Sequence, residues 1–220
     1  MIDPALSEDC LAFLKRHVPA ERFDRFLHAC SAFKTVLYET NRTLNLTRIP
    51  ESEFWSKHIA DSISIAPYLQ GKHNLCDVGC GAGFPSLPLA AAFPDLQVTA
   101  VDSTGKKIDF VLRAAETMGL ENLEALHARA NELAREEDYS RHFELVTARA
   151  VGDSLKLIRE VSGLLRKNAC LYVYRTPDQC DRERAELQKQ AIRFQCTASF
   201  ELPDHAGTRL FMILSGGNKK

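Results

Sequence analysis

Apolar positions in the first third of the chain recur at helical spacing. The longest stripe consists of Phe23, Phe26, Leu27, Cys30, Phe33 and Leu37. This spacing predicts an amphipathic helix packed on a core. A shorter stripe precedes Pro19, and a third helix is predicted to begin at Ser52 and end before Pro67. With a non-helical connection over Asn41–Pro50, residues 1–69 are predicted to form a helical extension.

After Gly71 the pattern changes to short apolar runs that alternate with helical segments. The predicted strands are Leu75–Val78, Val98–Val101, Leu123–Leu126, Leu145–Val146, Leu171–Tyr174, Cys196–Leu202 and Leu210–Leu214. The predicted helices are Pro85–Ala92, Gly105–Met118, Ala130–Glu137, Asp153–Leu165 and Asp178–Ile192. Such alternation indicates an α/β fold with a parallel sheet and helices on both faces.

The end of the chain departs from this alternation. The connection between the last two predicted strands contains the turn Pro203–Gly207 and is too short for a crossover helix. Residues 70–220 are therefore predicted to form a mostly parallel, seven-stranded sheet that ends in an antiparallel hairpin.

The composition describes a globular chain. The 220 residues carry a formal net charge of −1 and are 45% hydrophobic, which argues against a disordered or membrane protein. No basic segment followed by an apolar run begins the chain, so no signal peptide is expected. None of the seven cysteines forms a C-x-x-C pair. We expect free thiols, a cytoplasmic location and no metal site.

The stretch LCDVGCGAGFPSLPLA (residues 75–90) carries the most specific chemical signal. Glycines at alternating positions allow a sharp turn and the close approach of a ligand. Dinucleotide-binding loops follow G-x-G-x-x-G, but here the pattern is G-x-G-x-G and Phe84 occupies the place of the last fingerprint glycine. No lysine follows the loop, which argues against a P-loop for phosphates.

Two carboxylates narrow the candidate ligands further. Asp102 ends the second predicted strand, where a carboxylate can accept hydrogen bonds from ribose hydroxyls. Asp77 precedes the glycine loop and suits a cationic ligand better than a phosphate. The positively charged, phosphate-free nucleoside cofactor is S-adenosylmethionine (AdoMet). A nicotinamide oxidoreductase is the alternative, disfavoured by Phe84 and by the lack of a recognisable Tyr-x-x-x-Lys pair.

DVGCGAGFP resembles motif I of the class I AdoMet-dependent methyltransferases, which have a Rossmann-like fold. The wider sequence resembles the ribosomal RNA small subunit methyltransferase G family, also called glucose-inhibited division protein B, from about Phe33 to about Leu214. The blocks that carry this resemblance are Asn45–Ile49, Lys57–Leu69, Val101–Leu112, Ala128–Glu132 and Val146–Val151.

The resemblance implies roles for individual residues. Those expected to bind AdoMet are Asp77, Gly79, Gly81, Gly83, Phe84, Asp102, Ser103, Ala130, Asn131 and Arg149. Arg149 and Arg175 are expected to position the substrate. RNA-binding candidates are Lys57, His58, Lys106, Arg129 and Arg209. The chain departs from the family pattern at Lys57-His58, Ser86-Leu87, Asn131 and Arg175-Thr176.

His58 and Asp61 lie three residues apart and should share one helix face. They are predicted either to form a structural hydrogen bond with each other or to brace the Asn45–Thr47 segment over the substrate entrance.

The reaction that the resemblance implies is methylation of guanine N7 in 16S rRNA of the small ribosomal subunit. N7 has an in-plane lone pair and no proton to lose, so transfer needs alignment and no general base. Thr147-Ala148-Arg149-Ala150 stands where exocyclic-amine methyltransferases carry a Pro-Pro loop, and no Pro-Cys dipeptide occurs. Methylation of another RNA base or a small molecule, or AdoMet binding without catalysis, remain alternatives. A monomer is expected.

Overall fold

The computed structural model describes residues 3–215, and its N-terminal third is helical. Helix α1 spans Glu8–His17 and begins at Ser7, whose hydroxyl accepts a hydrogen bond from the Cys10 N–H at 3.0 Å. Helix α2 spans Phe23–Leu44 and ends at Asn45, which has left-handed backbone angles. Both helices bury their predicted apolar stripes, except that Leu27 of α2 is only partly buried.

The predicted third helix is irregular. A 3₁₀ turn over Glu51–Glu53 leads into a π-helix over Phe54–Ala60, which continues as the short helix α3, Asp61–Ile63. A second 3₁₀ turn covers Ala66–Tyr68. π-Helical segments are rare and occur frequently at functional sites.

The sheet has eight strands, one more than predicted. They are β1 (Asn74–Val78), β2 (Gln97–Asp102), β3 (Leu123–His127), β4 (Phe143–Ala148), β5 (Leu165–Arg175), β6 (Phe194–Cys196), β7 (Phe200–Glu201) and β8 (Thr208–Ser215). Their order is β3-β2-β1-β4-β5-β8-β6, with β7 also paired to β8.

Strand directions agree with the prediction. Strands β1 to β5 pair in parallel, whereas β8 pairs antiparallel with β5, β6 and β7. The predicted single strand Cys196–Leu202 is divided into β6 and β7. The mostly parallel sheet with a terminal antiparallel hairpin is thus confirmed, and only the number of strands is wrong.

Helices cover both faces of the sheet. They are α4 (Ser86–Ala92), α5 (Gly105–Met118), α6 (Ala130–Leu133), α7 (Ser154–Val161) and α8 (Pro177–Lys189). The core beneath α4 and α5 continues into the helical extension, because the Phe33 ring of α2 lies 5.0 Å from that of Phe84 and 6.3 Å from that of Phe110. A second core lies under α7 and α8.

The expectation that every cysteine is a free thiol is wrong for one pair. Cys180 of α8 and Cys196 of β6 form a disulfide, while the other five cysteines are free. The two are 16 residues apart and belong to no motif; the return of the chain from α8 to the sheet brings them together. Within residues 3–215, no helix has both the length and the hydrophobicity to cross a membrane.

Candidate functional site

The carboxyl ends of the parallel strands open onto a cleft of about 650 Å³. Ligands of open α/β sheets bind at this edge, where the strand order reverses, here between β1 and β4. Its lining consists of Leu46, Thr47, Arg48, Ile49, Lys57, His58, Asp61, Gly79, Cys80, Gly81, Ala82, Phe84, Lys107, Arg149, Ala150, Tyr174, Arg175, Thr176, Gln179 and Arg209. Residues of the helical extension and of the sheet therefore share one cleft.

The glycine loop between β1 and α4 forms the floor of this cleft. Gly79, Gly81 and Gly83 all have positive φ, at 73°, 57° and 88°. A Cβ on Gly83 would lie 2.4 Å from Leu87 Cδ1, so this glycine allows α4 to pack closely on the loop. A Cβ on Gly81 would meet no atom nearer than 3.9 Å, so the space beside it is open to a ligand.

Asp102 lies beside the glycine loop at the end of β2 and is buried. Its carboxylate accepts hydrogen bonds from the Gly81 N–H at 3.1 Å and the Thr104 N–H at 2.9 Å. Lys107 Nζ lies 3.5 Å away. These contacts fix the carboxylate at the cleft edge, and the neighbouring Ser103 is exposed.

Asp77 lies in β1 and is fully buried. Its carboxyl group accepts hydrogen bonds from the Ser86 hydroxyl and, at 3.0 Å, from Thr147 Oγ1. Burial raises the pKa of Asp77 to about 6, while these hydrogen bonds and the charge of Arg149 act in the opposite direction.

Like Asp77, Gly83, Asp102 and Ser103, four further predicted site residues lie outside the lining but near the same edge. The register of β2 with β3 pairs Asp102 with His127, so the turn that follows β3 adjoins the glycine loop. Ala130 in this region is buried, whereas Asn131 and Arg129 are exposed. Lys106 is exposed in the first turn of α5. Neither Lys106 nor Arg129 forms an ion pair with any residue of the described chain.

Arg149 follows β4 and is bound from the helical extension. Its Nη1 donates to Asp61 Oδ2 at 3.1 Å, and its Nη2 donates to His58 Nδ1 at 3.2 Å. Its guanidinium carbon lies 5.0 Å from the centre of the Phe84 ring, a cation–π distance. Arg149 thus joins the π-helix, α3 and the glycine loop.

His58 is a neutral hydrogen-bonding residue in this cleft. Its Nε2 lies 2.8 Å from Thr47 Oγ1, and its ring stacks on Phe84 at 4.0 Å. Burial, reinforced by the Arg149 charge, lowers the pKa of His58 to about 2. Because Nδ1 accepts from Arg149, the proton belongs on Nε2, where it is donated to Thr47. His58 and Asp61 form no hydrogen bond with each other, and each binds Arg149. The contact of His58 with Thr47 agrees with the other predicted role, bracing of the Asn45–Thr47 segment.

Arg175, at the end of β5, is almost entirely enclosed. Its Nη2 lies 3.1 Å from Glu183 Oε1 and also donates to Ser154 Oγ at 3.1 Å. The same guanidinium donates to the backbone oxygens of Val151 and Gly152. These contacts tie the loop after β4 to α8.

The other two basic residues predicted to bind RNA also have acidic partners. Lys57 Nζ lies 2.7 Å from Glu53 Oε1, and Arg209 Nε lies 3.2 Å from Asp61 Oδ1. Of the four Lys and Arg residues predicted to bind RNA, Lys57 and Arg209 are therefore paired, whereas Lys106 and Arg129 have no ion pair among the described residues.

Sequence reasoning missed the residues that hold the cleft wall in place. The Asn41 side chain binds both the N–H and the C=O of Thr47, at 2.9 and 3.0 Å. Tyr38 donates to Ile49 O at 3.1 Å, and Tyr174 donates to Ser62 O at 3.0 Å. Only Asn41 carried a usable signal, because a polar side chain at the end of a helix often binds the connection that follows.

Comparison with known proteins identifies close relatives in sequence. The family model described as rRNA small subunit methyltransferase G matches residues 27–206. A protein of this name from Bacillus licheniformis is 38% identical over 186 residues, covering 81% of this chain and 77% of the relative. Another from Bacillus subtilis is 35% identical over 198 residues, covering 86% and 82%.

Solved structures with the same fold are more distant in sequence. A SAM-dependent O-methyltransferase from Thermotoga maritima has a TM-score of 0.58 at 17% identity, covering 84% of this chain and 72% of that one. A SAM-dependent methyltransferase from Aquifex aeolicus has a TM-score of 0.54 at 17% identity, covering 70% and 88%. The architecture is thus the one expected from the sequence.

Proposed function

Because the chain belongs to the rRNA small subunit methyltransferase G family, we propose that it transfers a methyl group from AdoMet to N7 of a guanine in 16S rRNA. One observation carries the proposal: the glycine loop and Arg149 line a single cleft, and the Asp102 carboxylate is hydrogen-bonded to that loop at the cleft edge. That cleft combines a nucleoside-binding edge with a surface for an anionic substrate.

The residues present fit AdoMet. Gly81 offers open space next to a backbone turn, and the Asp102 carboxylate is fixed beside it by two backbone N–H groups. A carboxylate oxygen can accept more than one hydrogen bond, so Asp102 retains acceptor capacity for ribose hydroxyls. Gly79, Gly83, Phe84 and Asp77 would shape the rest of this subsite, with Ser103, Ala130 and Asn131 along its outer edge.

When bound, AdoMet supplies an electrophilic methyl group on a sulfonium. The task of the protein is then to align the acceptor nitrogen and exclude water, because N7 carries no proton to remove. The neutral His58 suits this chemistry, since it orients Arg149 and Phe84 and moves no proton. Arg149 would position the substrate directly, and Arg175 would do so through the loop after β4.

The RNA surface is proposed to follow the cations around the cleft. Lys106 and Arg129 are exposed and lack acidic partners within residues 3–215, so their charge is available to phosphates. Lys57 and Arg209 line the inner cleft, and their ion pairs with Glu53 and Asp61 fix the orientation of the two side chains. His58 lies deeper and would shape the base-binding end of the cleft.

We also propose how the whole chain is organised. Residues 1–69 would act as a cap that supplies one wall of the cleft, and residues 70–220 as the methyltransferase core. A monomeric state is consistent with a site formed entirely from one chain. The proposed location is the cytoplasm, where the small ribosomal subunit is available.

Incubation with labelled AdoMet and unmethylated 30S particles tests this proposal. We expect label in 16S rRNA, and none when 50S particles replace 30S particles. Arg149→Ala should transfer at least about tenfold less methyl, as expected for the loss of a positioned charged contact. S-adenosylhomocysteine binding by the same variant measures how much of this loss comes from the AdoMet subsite. The proposal would be contradicted if 30S and 50S particles were labelled equally, or if the 30S particles were not labelled.

A further inference from the structure

Asp61 connects three parts of the chain that are distant in sequence. It lies at the start of α3, directly after the π-helix, and its side chain is 6% exposed. Its Oδ2 accepts from Arg149, which follows β4, and its Oδ1 accepts from Arg209 in β8, at 3.1 and 3.2 Å. One buried carboxylate therefore holds two guanidinium groups in the same cleft.

The charges explain why this arrangement needs Asp61. Two guanidinium groups repel each other, and a carboxylate between them offsets that repulsion while leaving these three side chains with a net charge of +1. Arg149 and Arg209 can then lie side by side without neutralising the surface that faces the substrate.

The two arginines differ in how many of their N–H donors are already used in hydrogen bonds. Arg149 is held by Asp61, by His58 and by backbone oxygens of the π-helix. Arg209 uses Nε for Asp61 and Nη1 for its neighbour's carbonyl, at Thr208 O. Its Nη2 makes no hydrogen bond to any residue from 3 to 215, and the side chain is 23% exposed in the cleft lining.

We propose that Asp61 is a positioning residue, which sets Arg149 against Phe84 and turns Arg209 so that its free Nη2 binds a phosphate next to the methylated base. This inference rests on the proposed function and assigns the Arg209 contact to the RNA backbone. The free Nη2 of Arg209 can donate a charge-assisted hydrogen bond to a phosphate oxygen, and a fixed orientation lowers the entropy cost of that contact.

Asp61→Asn tests this role through its effect on KM for 30S particles. An amide has one acceptor oxygen where the carboxylate has two, so it cannot keep both arginine contacts as they are, and it also lacks the charge that offsets their repulsion. We expect KM for 30S particles to rise by about tenfold or more, with binding of S-adenosylhomocysteine unchanged. Arg209→Gln should reproduce much of the KM increase. Glu144→Gln is the matched control, because it breaks a surface ion pair with Arg166 and should leave KM unchanged.

A double variant distinguishes positioning from independent effects. If Asp61 acts through Arg209, the D61N R209Q variant will raise KM by less than the product of the two single effects. A fully multiplicative result, or a D61N variant with normal KM, would overturn the inference. If D61N does not fold, R209Q decides alone: an unchanged KM overturns the inference and a raised KM supports it. Absence of transfer by the wild type would instead contradict the proposed function.

Discussion

At the scale of single residues, the site is controlled by the burial of groups that normally carry charge. Asp77 and His58 both lie beneath or beside the glycine loop, and burial favours the neutral form of each. Their pKa values move in opposite directions for the same reason: the neutral form of a carboxyl group is protonated, whereas that of an imidazole is not.

The raised pKa of Asp77 predicts a specific dependence of stability on pH. The folded protein retains this proton up to about pH 6, whereas an unfolded Asp loses it near 3.8. The contribution of Asp77 to stability is therefore complete below pH 3.8 and is lost as the pH rises through 6. Between pH 4 and pH 7 the unfolding free energy of the wild type should fall by up to about 3 kcal/mol relative to that of Asp77→Asn, which has no carboxyl group to ionise.

Urea unfolding at several pH values measures this difference. Asp95→Asn, which alters an exposed carboxylate, is the control and should follow wild type at every pH. If the curves of wild type and Asp77→Asn stay parallel from pH 4 to pH 7, the burial argument for Asp77 is wrong.

At the scale of elements, the turn from β1 into α4 depends on glycine for two separate reasons. Gly83 needs a positive φ of 88° and also has no room for a Cβ, which would lie 2.4 Å from Leu87 Cδ1. Gly71 has a similar φ of 70° but open space around it. This pair separates the cost of the backbone angle from that of the close approach.

Gly71→Ala should lower the unfolding free energy by about 1 kcal/mol, the cost of a left-handed non-glycine residue. Gly83→Ala should cost about 1–3 kcal/mol more, because Leu87 must move within a packed core. It should also weaken S-adenosylhomocysteine binding, whereas Gly71→Ala should not. Equal losses in urea unfolding would show that the contact with Leu87 has no energetic weight.

The elements also show what the sequence can and cannot predict. Alternating apolar runs located strands β1 to β5 and the helices between them, and the short Pro203–Gly207 connection predicted the antiparallel hairpin. The division of Cys196–Leu202 into β6 and β7 was not visible, because an irregular break leaves the apolar pattern intact. The π-helix at Phe54–Ala60 was missed because its residues fit ordinary helical spacing equally well.

The sequence predicted which residues belong to the candidate site more fully than it predicted which residues they contact. Spacing in the glycine loop and the position of Asp102 follow from local sequence, so both could be identified. The contacts between Asp61, Arg149 and Arg209 span up to 148 residues and depend on strand order, which a single sequence does not specify. The same limit applies to the Cys180–Cys196 disulfide.

At the scale of the whole molecule, a chain of net charge −1 must bind a polyanion through local charge. Lys106 and Arg129 are exposed near the cleft edge and have no acidic partner in the described chain. Alanine at either position should weaken binding to 30S particles and reduce the slope of log affinity against log salt by about 1 each. Lys72, exposed at the opposite edge just before β1, is the control and should leave the slope unchanged.

Filter binding at several salt concentrations gives these slopes directly. A slope that falls equally for Lys72→Ala would mean that the attraction is spread over the whole surface, contrary to the proposed RNA face.

The most direct test of the central claim is the identity of the methylated nucleoside. Unmethylated 30S particles would be labelled with AdoMet, and the purified 16S rRNA would be digested and separated by chromatography with mass detection. The account predicts that the label is found in 7-methylguanosine. Label in any other nucleoside, or no label from a protein that binds S-adenosylhomocysteine normally, would contradict it.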